Sequence, residues 1–267
     1  MSTVAAAACV LLSCAKCVPL LPPQPAALFT TPLSIDGTPI GEAILDTGGG
    51  YELILRERFG LPVVGRVDVL SFGGSEFMDI TGEFDYTAGD VSDHADFALV
   101  GTSVCGCNGV GFQFFRKTGW VLALDFATMR ASFVRTFPLD GAVIPFAEPP
   151  DTLASFDTSF VEVTVSTGGV SGSVLALLDT GTNTSVMRRG ILPDGSRLTP
   201  NQTEILISEP QLGTIAVTAR LFDTPDLPDL ILGTDAMQAW SDQWYFHFAP
   251  EGGTVIAEPI TGGPGSD

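Results

Sequence analysis

Two aspartates stand in the same short context. Asp46 opens Asp46-Thr47-Gly48 behind Ala43-Ile44-Leu45, and Asp179 opens Asp179-Thr180-Gly181 behind Leu175-Ala176-Leu177-Leu178. A carboxylate at the end of a buried apolar strand is costly unless it is hydrogen-bonded or functional. Gly48 and Gly181 let the chain turn sharply and bring backbone N–H groups close to the carboxylate. Thr47 and Thr180 supply hydroxyls for backbone groups. Two such turns related by a pseudo-twofold would set the carboxyls side by side, where they cannot easily hold two charges and share one proton over a wide pH range. One oxygen then acts as general base toward a water, and another as general acid toward a carbonyl oxygen. That chemistry needs no metal, no cofactor and no covalent nucleophile.

Positioning such a pair takes a duplicated scaffold, and the chain contains one. Leu33 to Gly48 echoes Val163 to Gly181: an alternating apolar strand, a Gly-containing hairpin turn, a second apolar strand, then Asp-Thr-Gly, with the two aspartates 133 residues apart. Each motif precedes a further apolar strand, Tyr51–Leu55 and Thr184–Met187. Later each half has an apolar-apolar-Gly segment ahead of a short helix, Asn108–Phe115 and Leu230–Met237, with the helices expected near 112–118 and 235–241. A strand pair closes each half, Trp120–Asp125 with Arg130–Val134 and Trp244–Phe248 with Thr254–Ala257. Thr136–Asp157, with Pro138, Pro145, Pro149 and Pro150, reads as a connector. Two repeats of this length indicate a duplicated domain, and short strands between Gly turns indicate an all-β chain of barrel or sandwich halves.

The paired Asp-Thr-Gly motifs, each with its later apolar-apolar-Gly segment, resemble the aspartic proteases of the pepsin and retropepsin clan. The match is nearer to bacterial retropepsin-like proteins, here as a fused pair, and spans about residues 30–258. The resemblance implies an all-β bilobal acid-protease fold: two pseudo-twofold-related β-barrel lobes with one short helix each, acting as an endopeptidase on extended peptides. It implies Asp46 and Asp179 as the catalytic dyad, with Thr47 and Thr180 forming crossed hydrogen bonds that lock the lobes. Gly48 and Gly181 would flank the scissile bond, and Gly111 and Gly233 would mark the loops packed behind each Asp. Leu99-Val100-Gly101 competes for the first of these loops, but the aromatic run after Gly111 matches the second half better. A flap hairpin is expected in Val67–Phe77, with Phe72, Gly73 and Gly74 at its tip; Tyr86 lies further on and need not be the flap tyrosine of pepsins. The second half has no clear Gly-Gly flap between Leu192 and Leu221, so a single flap or two unequal ones are expected. Pepsins usually carry Ser or Thr after the motif, bonding the outer carboxylate oxygen. Thr182 fills that place in the second half, but the first half has Gly49 and is expected to lack the hydroxyl.

Composition narrows the alternatives. Apolar residues make up 45% of 267 and include eighteen Phe, which excludes a wholly disordered chain. The formal charge is −19 with two lysines, Lys16 and Lys117, and such a surface repels phosphate backbones, so no nucleic-acid partner is expected. Two histidines, His94 and His247, leave little room for a His-rich metal site or a His-based triad, and no Gly-x-Ser-x-Gly elbow, Walker A or dinucleotide fingerprint appears. No apolar run reaches the roughly 20 residues of a membrane span. Residues 4–12 are a short apolar run, and Leu11-Leu12-Ser13-Cys14 reads as a lipobox, although no Lys or Arg precedes Cys14. The expectation is export to the periplasm or envelope, with membrane attachment through lipidated Cys14. Cys105-Gly106-Cys107 is too tight for an unstrained bridge and lacks the partners of a zinc site.

The expected layout is a signal, lipobox and Pro-rich tether at 1–27, lobes at 28–135 and 158–258, the connector at 136–157, and a tail at 259–267. Fused halves imply that a monomer suffices. Asp235 reads as a helix N-terminal residue, and Phe112, Phe114, Phe115 and Trp120 as core. Beside the peptidase stand two other functions on the same fold: a module that holds peptides without cutting them, and an envelope lipoprotein with neither activity.

Overall fold

The computed structural model describes residues 28–71, 74–101, 107–138, 140–149, 159–191, 197–199, 201–224, 227–249 and 252–258. The described residues are mostly β with two short helices. The expected signal and tail, and Cys14, lie outside the described residues.

The first half runs β1 (Thr30–Ile35), β2 (Thr38–Asp46), β3 (Leu53–Leu55), β4 (Val63–Ser71), β5 (Gly74–Thr81), β6 (Phe84–Ala88), β7 (Val91–Ala95), β8 (Leu99–Val100) and β9 (Asn108–Gly111). Helix α1 (Phe112–Thr118), β10 (Val121–Asp125), β11 (Arg130–Val134) and β12 (Ala142–Pro145) follow. The second half runs β13 (Phe160–Thr167), β14 (Val170–Leu178), β15 (Val186–Arg188), β16 (Arg197–Thr199), β17 (Gln202–Glu209), β18 (Gly213–Phe222), β19 (Leu230–Leu232), α2 (Thr234–Trp240), β20 (Gln243–Ala249) and β21 (Gly252–Glu258).

Each half starts with a two-residue hairpin. Asp36 and Gly37 turn β1 into β2 at φ 48° and 75°, and Gly168 and Gly169 turn β13 into β14 at 56° and 82°. Positive φ at both central residues matches the twist of the flanking strands, which is why Asp-Gly and Gly-Gly stand there. The Asp-bearing strand then takes a parallel partner: β2 pairs with β9, with Asp46 opposite Gly111, and β14 pairs with β19, with Leu178 opposite Leu232. The strand after the motif inserts on the other side, β3 antiparallel to β9 and β15 antiparallel to β19. Leu99-Val100, the competing segment, is β8 and pairs with β3 instead.

The halves differ in closure. In the second, β13-β14-β19-β15-β18-β17 returns to β13, a closed six-stranded barrel. The first is a curled nine-stranded sheet ordered β4-β5-β8-β3-β9-β2-β1-β6-β7. Two barrels were expected, and only one closed ring of paired strands occurs among the described residues. The reason is local. Strand β17 runs without interruption and reaches both β18 and β13, but the equivalent stretch of the first half breaks at Gly82-Glu83 into β5 and β6. At the break the Gly82 N–H donates to Pro62 O, and the Thr81 hydroxyl donates to Gly82 O and accepts from Ala98 N.

The closing strand pairs do not stay with their own halves. Strand β10 pairs with β20, and one five-stranded sheet results, ordered β11-β10-β20-β21-β12. Its last strand comes from the segment read as a connector. The outer edge of β12 is occupied too: Gln211, in the turn between β17 and β18, donates from Nε2 to Val143 O at 2.7 Å and accepts from Val143 N at 3.2 Å.

Alternation along β20 buries Trp244, Phe246 and Phe248 on one face. Phe112 and Phe115 of α1 meet Phe248 there, both at 5.8 Å between ring centroids. Trp120 is only half-buried, with the Arg135 guanidinium 3.7 Å from its ring centroid. Trp244 is fully buried, and its Nε1–H points at Met237 O and Ser241 O at the end of α2, 3.0 and 3.1 Å away. Trp244→Ala deletes a large core ring and the donor to those carbonyls. It is expected to lower unfolding stability by about 3–5 kcal/mol in urea denaturation.

Candidate functional site

Asp46 ends β2 and Asp179 directly follows β14, and both are buried. Behind each, backbone bonds fix the turn in the same way. Gly49 N donates to Asp46 O and Thr182 N to Asp179 O. The N-termini of the helices bind the same loops from behind, Phe112 N to Gly49 O and Thr234 N to Thr182 O, each at 3.0 Å. Gly111 and Gly233 sit at these junctions. A Cβ on Gly111 would stand 2.1 Å from Tyr51 O, and one on Gly233 2.9 Å from Thr184 N.

The two turns meet through their threonines. Thr47 N donates to Thr180 Oγ1 at 3.0 Å, and Thr180 N to Thr47 Oγ1 at 3.1 Å. Each hydroxyl passes its own proton across, Thr47 to Leu178 O at 2.8 Å and Thr180 to Leu45 O at 2.6 Å. Both threonines are fully buried, so each bond replaces one that water cannot make. Ser159, just before β13, adds to the lock, with its hydroxyl 2.6 Å from Leu178 O and 3.2 Å from Thr47 O.

This lock brings the carboxyls together. The Asp46 and Asp179 carboxyls lie close enough for the charge of one to act on the other. Gly48 packs so closely that a Cβ there would lie 2.5 Å from Asp179 Cγ. The motif glycines serve the carboxylates, Gly48 N donating to Asp46 Oδ1 at 3.1 Å and Gly181 N to Asp179 Oδ1 at 2.8 Å. Burial pushes the Asp46 carboxyl well above the usual carboxylate range, and the charge of Asp179 pushes the same way, while a hydrogen bond from Tyr51 pulls it back in part.

That bond corrects one expectation. The first half does not lack a supporting hydroxyl: Tyr51 Oη donates to Asp46 Oδ2 at 2.8 Å. In the second half the Thr182 hydroxyl donates to Thr184 O at 3.3 Å. Asp235, in the first turn of α2, accepts from Ser185 N and Oγ and from Ala236 N, which ties that helix to the loop behind Asp179. Tyr51 and Ser159 were not legible as site residues. The available signals were a tyrosine five positions after Asp46 and a serine just ahead of the second repeat.

The flap candidates fall mostly outside the described residues. Phe72 and Gly73 are not among them, and Gly74 begins β5. The hairpin below them is described: β4 and β5 pair from Val63↔Thr81 to Ser71↔Gly74. Val69 and Met78 of this hairpin are buried with Tyr51, Ile54 and Leu99. In the second half β17 pairs with β13 as β6 does with β1, so the β16–β17 hairpin is the counterpart, and its first strand has three residues.

Among the described residues no group of three or more His, Cys, Asp or Glu side chains could hold a metal ion, and no helix is long and apolar enough to cross a membrane. No protein-family model matches the chain, and no curated protein matches it.

Two outcomes follow. Thr180→Val keeps the shape but leaves Thr47 N and Leu45 O buried without this partner. It is expected to lower stability by about 2–6 kcal/mol, at roughly 1–3 kcal/mol per orphaned group, whereas Thr180→Ser loses less; chemical denaturation reads both. The second concerns pH. Folding raises the proton affinity of Asp46 above its ordinary value of 3.8, so the native state binds more protons there than the unfolded chain. Stability must therefore fall as pH rises from that value through the raised one. Asp46→Asn cannot charge, so its Tm relative to wild type is expected to rise between pH 4 and 8, at about 2–4 °C per kcal/mol.

Proposed function

We propose that the chain is an aspartic endopeptidase with a bilobal acid-protease fold, whose halves each contribute one carboxyl to a two-aspartate dyad. The observation that carries this reading is the meeting of Asp46 and Asp179 across the reciprocal Thr47–Thr180 bonds. Two chemically equal turns, 133 residues apart, are held face to face with their carboxyls close together. The matching parallel pairs β2–β9 and β14–β19, each leading into a short helix, support the fold assignment.

The chemistry follows from one proton held between two acids. The ionised carboxyl removes a proton from a water, and the water oxygen bonds to the peptide carbonyl carbon. The protonated carboxyl gives its proton to the carbonyl oxygen, leaving a neutral tetrahedral diol. The amide nitrogen then takes a proton from the dyad, the C–N bond breaks, and a diol proton restores the shared one. Burial serves both roles by keeping a proton on the pair at pH values where exposed carboxyls have lost theirs. The substrate fitting this scheme is an extended peptide bound by backbone hydrogen bonds. Export and acylation at Cys14 remain part of the proposal and rest on residues 1–27 alone.

A cleavage profile tests it. Residues 22–267 are incubated with a diverse peptide mixture from acid to neutral pH, and mass spectrometry reads the new termini. Cuts in wild type that vanish in Asp46→Asn and in Asp179→Asn are the expected result. A folded wild type that makes no cuts anywhere in that range sinks the peptidase and leaves a peptide-holding module of the same fold.

A further inference from the structure

We propose that Glu76, on the inner face of the β4–β5 hairpin, is a specificity-determining residue that selects peptides carrying lysine or arginine. The inference deepens the peptidase reading and rests on it for the place of the cleft.

The register of the hairpin assigns its two faces. Residues paired across an antiparallel ladder share a face, and successive pairs alternate. Arg66↔Asp79 and Asp68↔Phe77 lie on one face. That face is turned to solvent, with Arg66, Asp68 and Phe77 all exposed. Val67↔Met78 and Val69↔Glu76 lie on the other. There Val69 and Met78 are buried with Tyr51, and Val67 and Ile80 pack against the same cluster. Tyr51 in turn donates to Asp46 Oδ2 at 2.8 Å. The inner row Ile80, Met78, Glu76 therefore runs from the packing around Tyr51 toward the hairpin tip, and Glu76 stands about 7 Å beyond Met78 along the strand.

Charge sets Glu76 apart in this setting. Val67, Val69, Met78 and Ile80, which share its face, are apolar. Glu76 is half-buried, and among the described residues no hydrogen bond or ion pair engages its carboxylate. The arginines near the hairpin are occupied on the outer face, where Arg66 Nε and Arg58 Nη2 meet Asp79 at 2.8 and 2.9 Å. A carboxylate partly withdrawn from water on an apolar face is costly until a cation meets it. The described inner face offers none, so the cation comes with the ligand. A lysine or arginine side chain supplies it, with an apolar stem to lie along the inner row and a charged head for the carboxylate. The wider field acts in the same sense. Asp and Glu number 31 against 12 Lys and Arg, and a chain of net charge −19 draws cationic peptides and repels anionic ones.

Degenerate peptide libraries test this, alike except for lysine, norleucine or glutamate fixed at one position, each position in turn. Norleucine keeps the lysine stem and drops the ammonium. At one position near the cut, wild type is expected to show a kcat/KM about tenfold higher for the lysine series than for the norleucine series. Glu76→Gln is expected to abolish that preference, and Glu76→Lys to turn it toward glutamate. Asp68→Asn removes the same charge from the outer face of the same hairpin and is expected to keep the preference, which separates a contact from the general field. Fluorescence anisotropy with labelled libraries near neutral pH reads the same ratios as affinities in Asp179→Asn protein, whether or not the wild type cuts. Equal treatment of lysine and norleucine overturns the proposal and leaves the peptidase standing. So does a preference that survives Glu76→Gln in a protein of native Tm, or one that Asp68→Asn abolishes equally. A protein that holds lysine peptides through Glu76 without cutting them sinks the peptidase reading alone, and one that neither cuts nor holds any series overturns both.

Discussion

Two carboxyls buried against one another form an arrangement that water would otherwise pull apart. Asp46 and Asp179 stay together because the turns that bear them are fastened across the molecule by Thr47 and Thr180. None of those bonds tolerates a shift of either half, since a buried amide or hydroxyl that loses its partner finds no solvent to replace it. The remaining architecture reads as support for this point. Parallel strands β9 and β19 hold the aspartate strands from one side, and helix N-termini hold the loops from behind. The shared sheet joins the halves at a second place through β10 and β20.

What the sequence made legible was local. The hairpins β1–β2 and β13–β14, the motif turns and the helix at 112–118 all follow from residues near one another, so their patterns can be read along the chain. Helix α2 begins at Thr234, one residue before the expected start. What stayed hidden was set by distance. The tyrosine hydroxyl at Asp46 depends on Gly109 and Gly111, 58 and 60 residues beyond Tyr51, leaving space for a ring. Strand β12 is hidden in a Pro-rich stretch because its pairing is dictated by the open edge of β21, not by its own residues. Barrel closure in one half alone turns on whether a strand is interrupted at Gly82-Glu83, and a single glycine gives little warning of that.

The halves are therefore alike in topology around the two aspartates and unlike in what surrounds them. The first adds a tyrosine and a long hairpin, and splits the counterpart of β17 into β5 and β6. The second has a closed barrel and a three-residue β16. Two acids borne on alike turns thus sit in unequal surroundings.

Gln211 gives the shared sheet a different kind of protection. Its side-chain amide meets both the N–H and the C=O of Val143, so one glutamine imitates one residue of an additional strand. An exposed edge with free backbone groups is a template on which a foreign strand can grow. At β12 the template position is already filled from within the chain, by the tip of the β17–β18 hairpin. The side chain that ties the barrel to the shared sheet also denies that edge to strands from other molecules.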